Sequence, residues 1–191
     1  MSKKSEIYRE SLLIILFILL FVLTSSYKLD FLIWLVNVPL LLLVYKKPLK
    51  RALLLALPPS ILAVAISFPW VIEYSWAAYI ASITLFSSFL FLFAIAFNIL
   101  SRKINGFLQI FAAPFIYSLL MIVFSFTIIN SYWADWSMFN PIAAPLIWFV
   151  GSNGITFLIV LMHSIIAFYI LRKNKKVLGT GILIILIVLC N

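Results

Sequence analysis

Acidic side chains are what this sequence has least of. Five Asp and Glu stand against 14 Lys and Arg in 191 residues, and charged residues of either sign make up only 10% of the chain. A soluble domain wets its surface with about a quarter charged residues. Here apolar residues reach 66% and the mean hydropathy is +1.23, so such a surface cannot be built. Cysteine is nearly absent too. The lone Cys190 excludes a disulfide framework and a Cys/His metal cluster within this sequence. There is one histidine, His163, and five glycines with no phosphate-cradling loop. Neither a metal nor a cofactor is expected, because potential ligands are too few and too scattered.

Long apolar runs take the place of those missing features. Broken at charges and at Pro/Gly clusters, they fall at 11–27, 31–45, 52–72, 76–100, 107–129, 146–171 and 177–190. A helix needs about 20 apolar residues to cross the hydrocarbon core. The expected fold is therefore all-α, a single polytopic bundle of about seven membrane helices over 1–191. The first two runs are short and joined by Lys28-Leu29-Asp30, which suits a tilted or re-entrant hairpin. Pro141 and Pro145 predict an irregular lead-in to the sixth run. The seventh run stops after 14 residues with no flanking charge.

The charges orient the spans. Lys3, Lys4 and Arg9, then Lys46, Lys47, Lys50 and Arg51, then Arg102 and Lys103, then Arg172, Lys173, Lys175 and Lys176 occupy alternate loops. These hold 13 of the 14 basic residues, and the other loops hold Lys28, Asp30, Glu73 and Asp135. Basic loops resist translocation, so the expectation is a cytoplasmic N-terminus and a last helix that exits outside. The net charge of +9 is thereby taken up by membrane orientation and by anionic headgroups, not by nucleic acid. At the N-terminus, Lys3-Lys4, Leu12–Leu23 and Thr24-Ser25-Ser26 also fit a cleavable signal peptide. The short link into the next apolar run favours a retained span.

All six tryptophans gather toward the outer boundary of this layout: Trp34, Trp70, Trp76, Trp133, Trp136 and Trp148. An interfacial aromatic belt is the common reason for such placement, yet a belt decorates both faces. A functional outer surface is the competing reading. Glu73 and Asp135 lie among these indoles, where a carboxylate either ends a helix in solvent or holds an amine or headgroup. The candidate substrate- or lipid-facing residues are thus Trp70, Glu73, Trp76, Trp133, Asp135, Trp136 and Trp148.

Further along, Gly151 and Gly154 allow close backbone approach, and Thr156 and His163 lie seven residues apart on one helix face. Ser152 shares that face, which invites a comparison with an intramembrane serine protease. Eleven residues from His163 is roughly 16 Å along a helix axis, too far for a dyad. A helix–helix hydrogen bond is the expected role of His163, and Gly151, Gly154, Thr156 and His163 are read as packing residues.

Three stretches carry a family resemblance over about Tyr27 to Lys176. Ala144-Pro145-Leu146 through Gly151-Ser-Asn-Gly154-Ile-Thr-Phe-Leu-Ile-Val-Leu, with Ser164 and Ala167, is the best matched. Phe31–Val44 and Phe68-Pro69-Trp70-Val71 are the others. In order and spacing they resemble the membrane portion of the apolipoprotein N-acyltransferase family. That resemblance implies a plasma-membrane, multi-pass bundle that anchors an extracytoplasmic nitrilase-like domain with a Glu-Lys-Cys triad. It implies phospholipid as acyl donor and a lipoprotein as acceptor, hence membrane lipids and lipoproteins as partners. No such triad is present in this sequence, and Cys190 lies in an apolar run away from any nitrilase-type motif. The chain is therefore expected to be catalytically silent alone, being either truncated or encoded apart from the catalytic domain. It departs from the family pattern at Tyr117–Phe126, Ile128–Trp136 and Glu73–Ala78, and it carries His163 where an asparagine is usual. A small integral solute-binding or transporter subunit is the alternative, and a membrane protein without a site is the third.

Overall fold

In an apolar solvent a chain segment must bond its own peptide groups, and a helix does so locally. Within the described residues the apolar runs are accordingly largely helical. The computed structural model describes residues 3–27, 29–125 and 143–173, together with residue 179. Among these residues six helices follow in order: α1 (Lys3–Ser26), α2 (Val38–Val44), α3 (Leu49–Ser67), α4 (Trp76–Lys103), α5 (Gln109–Ser125) and α6 (Ala143–Arg172). Two 3-10 turns, Asp30–Trp34 and Pro69–Glu73, precede α2 and follow α3. No strand occurs among the described residues. Four helical stretches are long and apolar enough to cross a membrane: Lys4–Ser26, Leu49–Ser67, Trp76–Lys103 and Asn153–Arg172. Phe31–Val44 and Gln109–Phe124 are shorter apolar stretches. The expected seventh span at 177–190 lies outside the described residues.

Two sets of polar contacts fix the direction of the first elements. At one end Lys47 Nζ meets Glu10 Oε1 at 2.8 Å and also pairs with Glu6. Arg51 completes the cluster, with Nη2 2.9 Å from Glu10 Oε2 and Nη1 3.3 Å from Glu6 Oε1. At the other end Ser25 Oγ donates to Ser67 Oγ at 2.7 Å, and Ser26 Oγ donates to the Ser67 carbonyl at 3.4 Å. Both α1 and α3 run from the charged cluster to the serine contact, so they are parallel. The link between them has to travel back.

It returns through the middle of the bundle. Phe31–Val44 is too short for one straight helix across a membrane, and it descends as a 3-10 turn, a non-helical step at 35–37, and α2. The segment is apolar on nearly every side, as a fully surrounded helix must be. Val38, Pro39, Leu40, Leu41, Leu43 and Val44 are all buried. Four helices touch α2: α1, α3, α4 and α6. Phe17 and Phe21 of α1, Phe93 and Phe97 of α4, and Phe168 of α6 belong to the same core.

α4 runs back beside α3, α5 packs on α4, and α6 packs on α5 and α2. Gln109, the first residue of α5, ties the charged end together. Its Nε2 donates to the carbonyls of Ser101 (2.8 Å) and Ile104, while its Oε1 accepts from Tyr45 Oη (3.2 Å) and from Arg172.

One boundary differs from that read in the sequence. The third run was expected to continue to 72, but α3 ends at Ser67. Pro69 is the cause: it disfavours helical geometry at Phe68, and it has no N–H for the carbonyl of Ala65. Tyr79 Oη donates to that carbonyl instead, at 2.9 Å. In the sixth run Pro141 lies outside the described residues, while Pro145 stands in the first turn of a backbone that is helical from Ala143 and breaks at Gly151. In that first turn the proline's missing N–H has no helical partner to lose. Gly151 has φ 69° and ψ 173°, a conformation open almost only to glycine.

The charged cluster makes a ranking that can be measured. The Glu10 side chain is only 9% exposed, against 32% for Glu6. Glu10→Gln is expected to cost about 1–2 kcal/mol, and Glu6→Gln less, in thermal melting of detergent-solubilised protein. Equal losses at the two positions would contradict the clamp as described.

Candidate functional site

The 3-10 turn after α3 is held from below and open above. Phe68 and Val71 are buried, and the Phe68 ring stacks on Phe86 with centroids 5.2 Å apart and planes 7° from parallel. With these as the root, the turn presents Trp70 (55% exposed), Glu73, Tyr74 and Trp76 (66% exposed) outward. Trp70 meets Tyr74 edge-on at 6.2 Å, and Trp76 meets Tyr79 edge-on at 6.1 Å. Ser75 caps α4 here, accepting from the Ala78 amide at 3.4 Å. The result is a rigid aromatic ledge with one exposed carboxylate that forms no ion pair among the described residues. It lies at the end of α3 and α4 opposite the Glu6, Glu10, Lys47 and Arg51 cluster.

Of the residues read as candidates, the structure thus brings Trp70, Glu73 and Trp76 onto one turn. Trp133, Asp135 and Trp136 lie outside the described residues. Trp148 falls within helical backbone, but its side chain lies outside them as well. Among the described residues no hydrogen bond joins the Glu73 carboxylate to the Ser75 hydroxyl, which caps α4 instead. The ledge's chemistry is that of binding: ring faces for methylene or cationic groups, and a carboxylate for an amine.

The second candidate group divides. Thr156 is buried and, with Ser118, Met121, Ile122 and Asn153, lines a cavity of about 50 Å³ between α5 and α6, close to the break at Gly151. Gly154 is half-buried. His163 is fully buried one helical stretch further on, and its Nε2 lies 2.7 Å from the Ile33 carbonyl in the turn before α2. A carbonyl only accepts, so Nε2 carries the hydrogen. That bond gives His163 a specific task. Where the helical ladder lapses at 35–37, His163 supplies a donor that the local backbone does not.

Sequence reasoning passed over the amides. Asn98 is fully buried, and its Nδ2 donates to the Val44 carbonyl (2.6 Å) and the Lys47 carbonyl (2.9 Å). Pro48 has no N–H to continue the helix onto the Val44 carbonyl, which accepts from the Lys47 amide at 3.2 Å as well as from Asn98. Gln109 plays the matching role at the end of α4. Asn37, 1% exposed at the start of α2, does not cap that helix. A lone amide inside an apolar run was the available clue, since such groups are costly in a membrane unless bonded. Among the described residues no group of three or more His, Cys, Asp or Glu could hold a metal ion.

Comparison with family models, curated proteins and solved structures gives no match to this chain.

Two substitutions test this geometry. His163→Leu leaves the Ile33 carbonyl unpaired and is expected to cost about 1–3 kcal/mol in detergent melting. His163→Gln, which keeps a donor, should recover part of the loss; identical losses would remove the donor role. Gly151→Ala meets no neighbouring atom, so any cost comes from backbone strain alone, about 1–3 kcal/mol. Unchanged stability in Gly151→Ala would show that the break is not fixed at that residue.

Proposed function

We propose that this chain is the membrane moiety of a lipoprotein N-acyltransferase-like protein. In this reading its charged end faces the cytoplasm and its aromatic end faces outward. It anchors a nitrilase-like domain and gathers phospholipid and lipoprotein at the outer leaflet of the plasma membrane. The observation that carries the reading is the ledge of Trp70, Glu73, Tyr74 and Trp76, exposed at the end opposite the basic loops. Indoles and phenols suit the headgroup region, having an apolar body and a polar tip. A carboxylate among them favours a headgroup or peptide terminus that carries an amine. The resemblance of Phe31–Val44, Phe68–Val71 and Ala144–Leu161 to the acyltransferase family supports the same reading. A small integral solute-binding or transporter subunit is the alternative reading.

The test is capture of lipid at the ledge. The full chain, reconstituted in vesicles that contain a phosphatidylethanolamine with a photoactivatable headgroup, should be labelled within 69–76. Trp70→Ala/Trp76→Ala should reduce labelling several-fold, and Glu73→Gln should reduce it for the amine headgroup but not for a choline headgroup. Label spread evenly over the lipid-facing helices, or unaffected by these variants, overturns the lipid-gathering role. A nitrilase-like domain of this family, produced separately, should co-purify with the chain from membranes; failure to do so removes the anchoring role.

A further inference from the structure

The last turn of α4 carries two cations that its own capping does not require. Basic side chains near a helix C-terminus ordinarily serve the final carbonyls and the negative end of the dipole. Gln109 already donates to the carbonyls of Ser101 and Ile104, and the Ser101 hydroxyl donates to the Asn98 carbonyl at 2.9 Å. Nor are the cations needed by carboxylates. Glu6 and Glu10 are held at this end by Lys47 and Arg51. Arg102 and Lys103 are exposed and have neither an ion pair nor a hydrogen bond among the described residues.

They stand three and four residues after Ile99, hence on its side of the helix. Together the three residues line an open groove of about 400 Å³. Ile99 is 42% exposed, and Leu92, two turns before it on the same face, is 44% exposed. An apolar track along the flank of a membrane-length helix thus ends at two adjacent cations that form no ion pair among the described residues. The complement of that shape and charge is a molecule with an acyl chain and an anionic head.

We propose that the groove of Ile99, Arg102 and Lys103 seats one anionic phospholipid of the leaflet at the charged end. The guanidinium of Arg102 takes two phosphate oxygens side by side, and the Lys103 ammonium adds a point charge. Ile99 and Leu92 lie along the first methylenes of the chain. This site is separate from the aromatic ledge and stands whatever that ledge binds.

Native mass spectrometry of the full chain tests it, after exposure to equal amounts of phosphatidylglycerol and phosphatidylcholine with matched acyl chains. Phosphatidylglycerol should be retained in preference. Arg102→Ala/Lys103→Ala should weaken retention about fivefold for each cation removed. Ile99→Trp, which fills the groove and leaves both cations in place, should also lose the bound lipid. Lys4→Ala/Lys50→Ala removes two charges from the same end outside the groove and should keep it. Equal loss in the Lys4/Lys50 pair would reduce the effect to diffuse attraction and overturn the site. Equal retention of phosphatidylcholine, or undiminished binding in both groove variants, overturns it as well.

Discussion

A helix that stops inside an apolar bundle leaves carbonyls short of helical donors, and the rest of this fold is arranged so that neighbouring elements help to supply them. The interrupted segment is Phe31–Val44, which returns between the parallel helices α1 and α3. Water would serve such carbonyls in a soluble protein. In hydrocarbon each unserved group costs several kcal/mol. His163 from α6 therefore reaches the Ile33 carbonyl, and Asn98 from α4 reaches those of Val44 and Lys47. Tyr79 repeats the device outside the central segment, on the Ala65 carbonyl that Pro69 leaves free. Interruptions in the ladder thus become fastenings between helices, because the missing donors come from elsewhere in the chain.

This arrangement explains why so few polar groups suffice. The fastenings of the central segment join elements distant in sequence: 130 residues separate Ile33 from His163, and 54 separate Val44 from Asn98. Apolar packing between helices has little hydrophobic drive in lipid, so directional bonds carry a larger share of the specificity. The charged cluster and the serine contact act differently. They set α1 and α3 parallel at both ends, and that leaves the middle of the bundle as the route for the returning segment.

The helical class was legible in the sequence because hydropathy reports what a membrane solvent demands, and four of the described helical stretches are long and apolar enough to cross a membrane. The alternation of basic loops also reappears as a polarised bundle, with Glu6, Lys47, Arg51, Gln109 and Arg172 near one end. What stayed hidden was where the ladder breaks. Hydropathy does not distinguish a straight span from a 3-10 turn followed by a short helix, so the step at 35–37 was illegible. The weight of a proline depends on its place in the helix. Pro145 lies where proline is harmless, whereas Pro69 ends α3 several residues before its apolar run does. Asn98 and Gln109 are single amides in apolar runs, and the sequence does not say which carbonyls they meet. The ledge itself was partly legible: Trp70, Glu73 and Trp76 were singled out together, but the burial of Phe68 beneath them needed the structure.

The division of labour among the polar residues bears on where activity can reside. His163, Asn98 and Tyr79 direct their donors at main-chain carbonyls, and Gln109 does so while also accepting from Tyr45 and Arg172. A residue whose hydrogen bond holds the fold is poorly placed to change partners during a reaction. The rings and carboxylate of the Pro69–Glu73 turn and the start of α4 are under no such obligation, since Phe68, Val71 and Ser75 hold that turn without them. Function in this bundle is therefore expected to lie at its ends, where side chains are anchored by others and free to bind. The interior supplies the stiffness that keeps those ends apart.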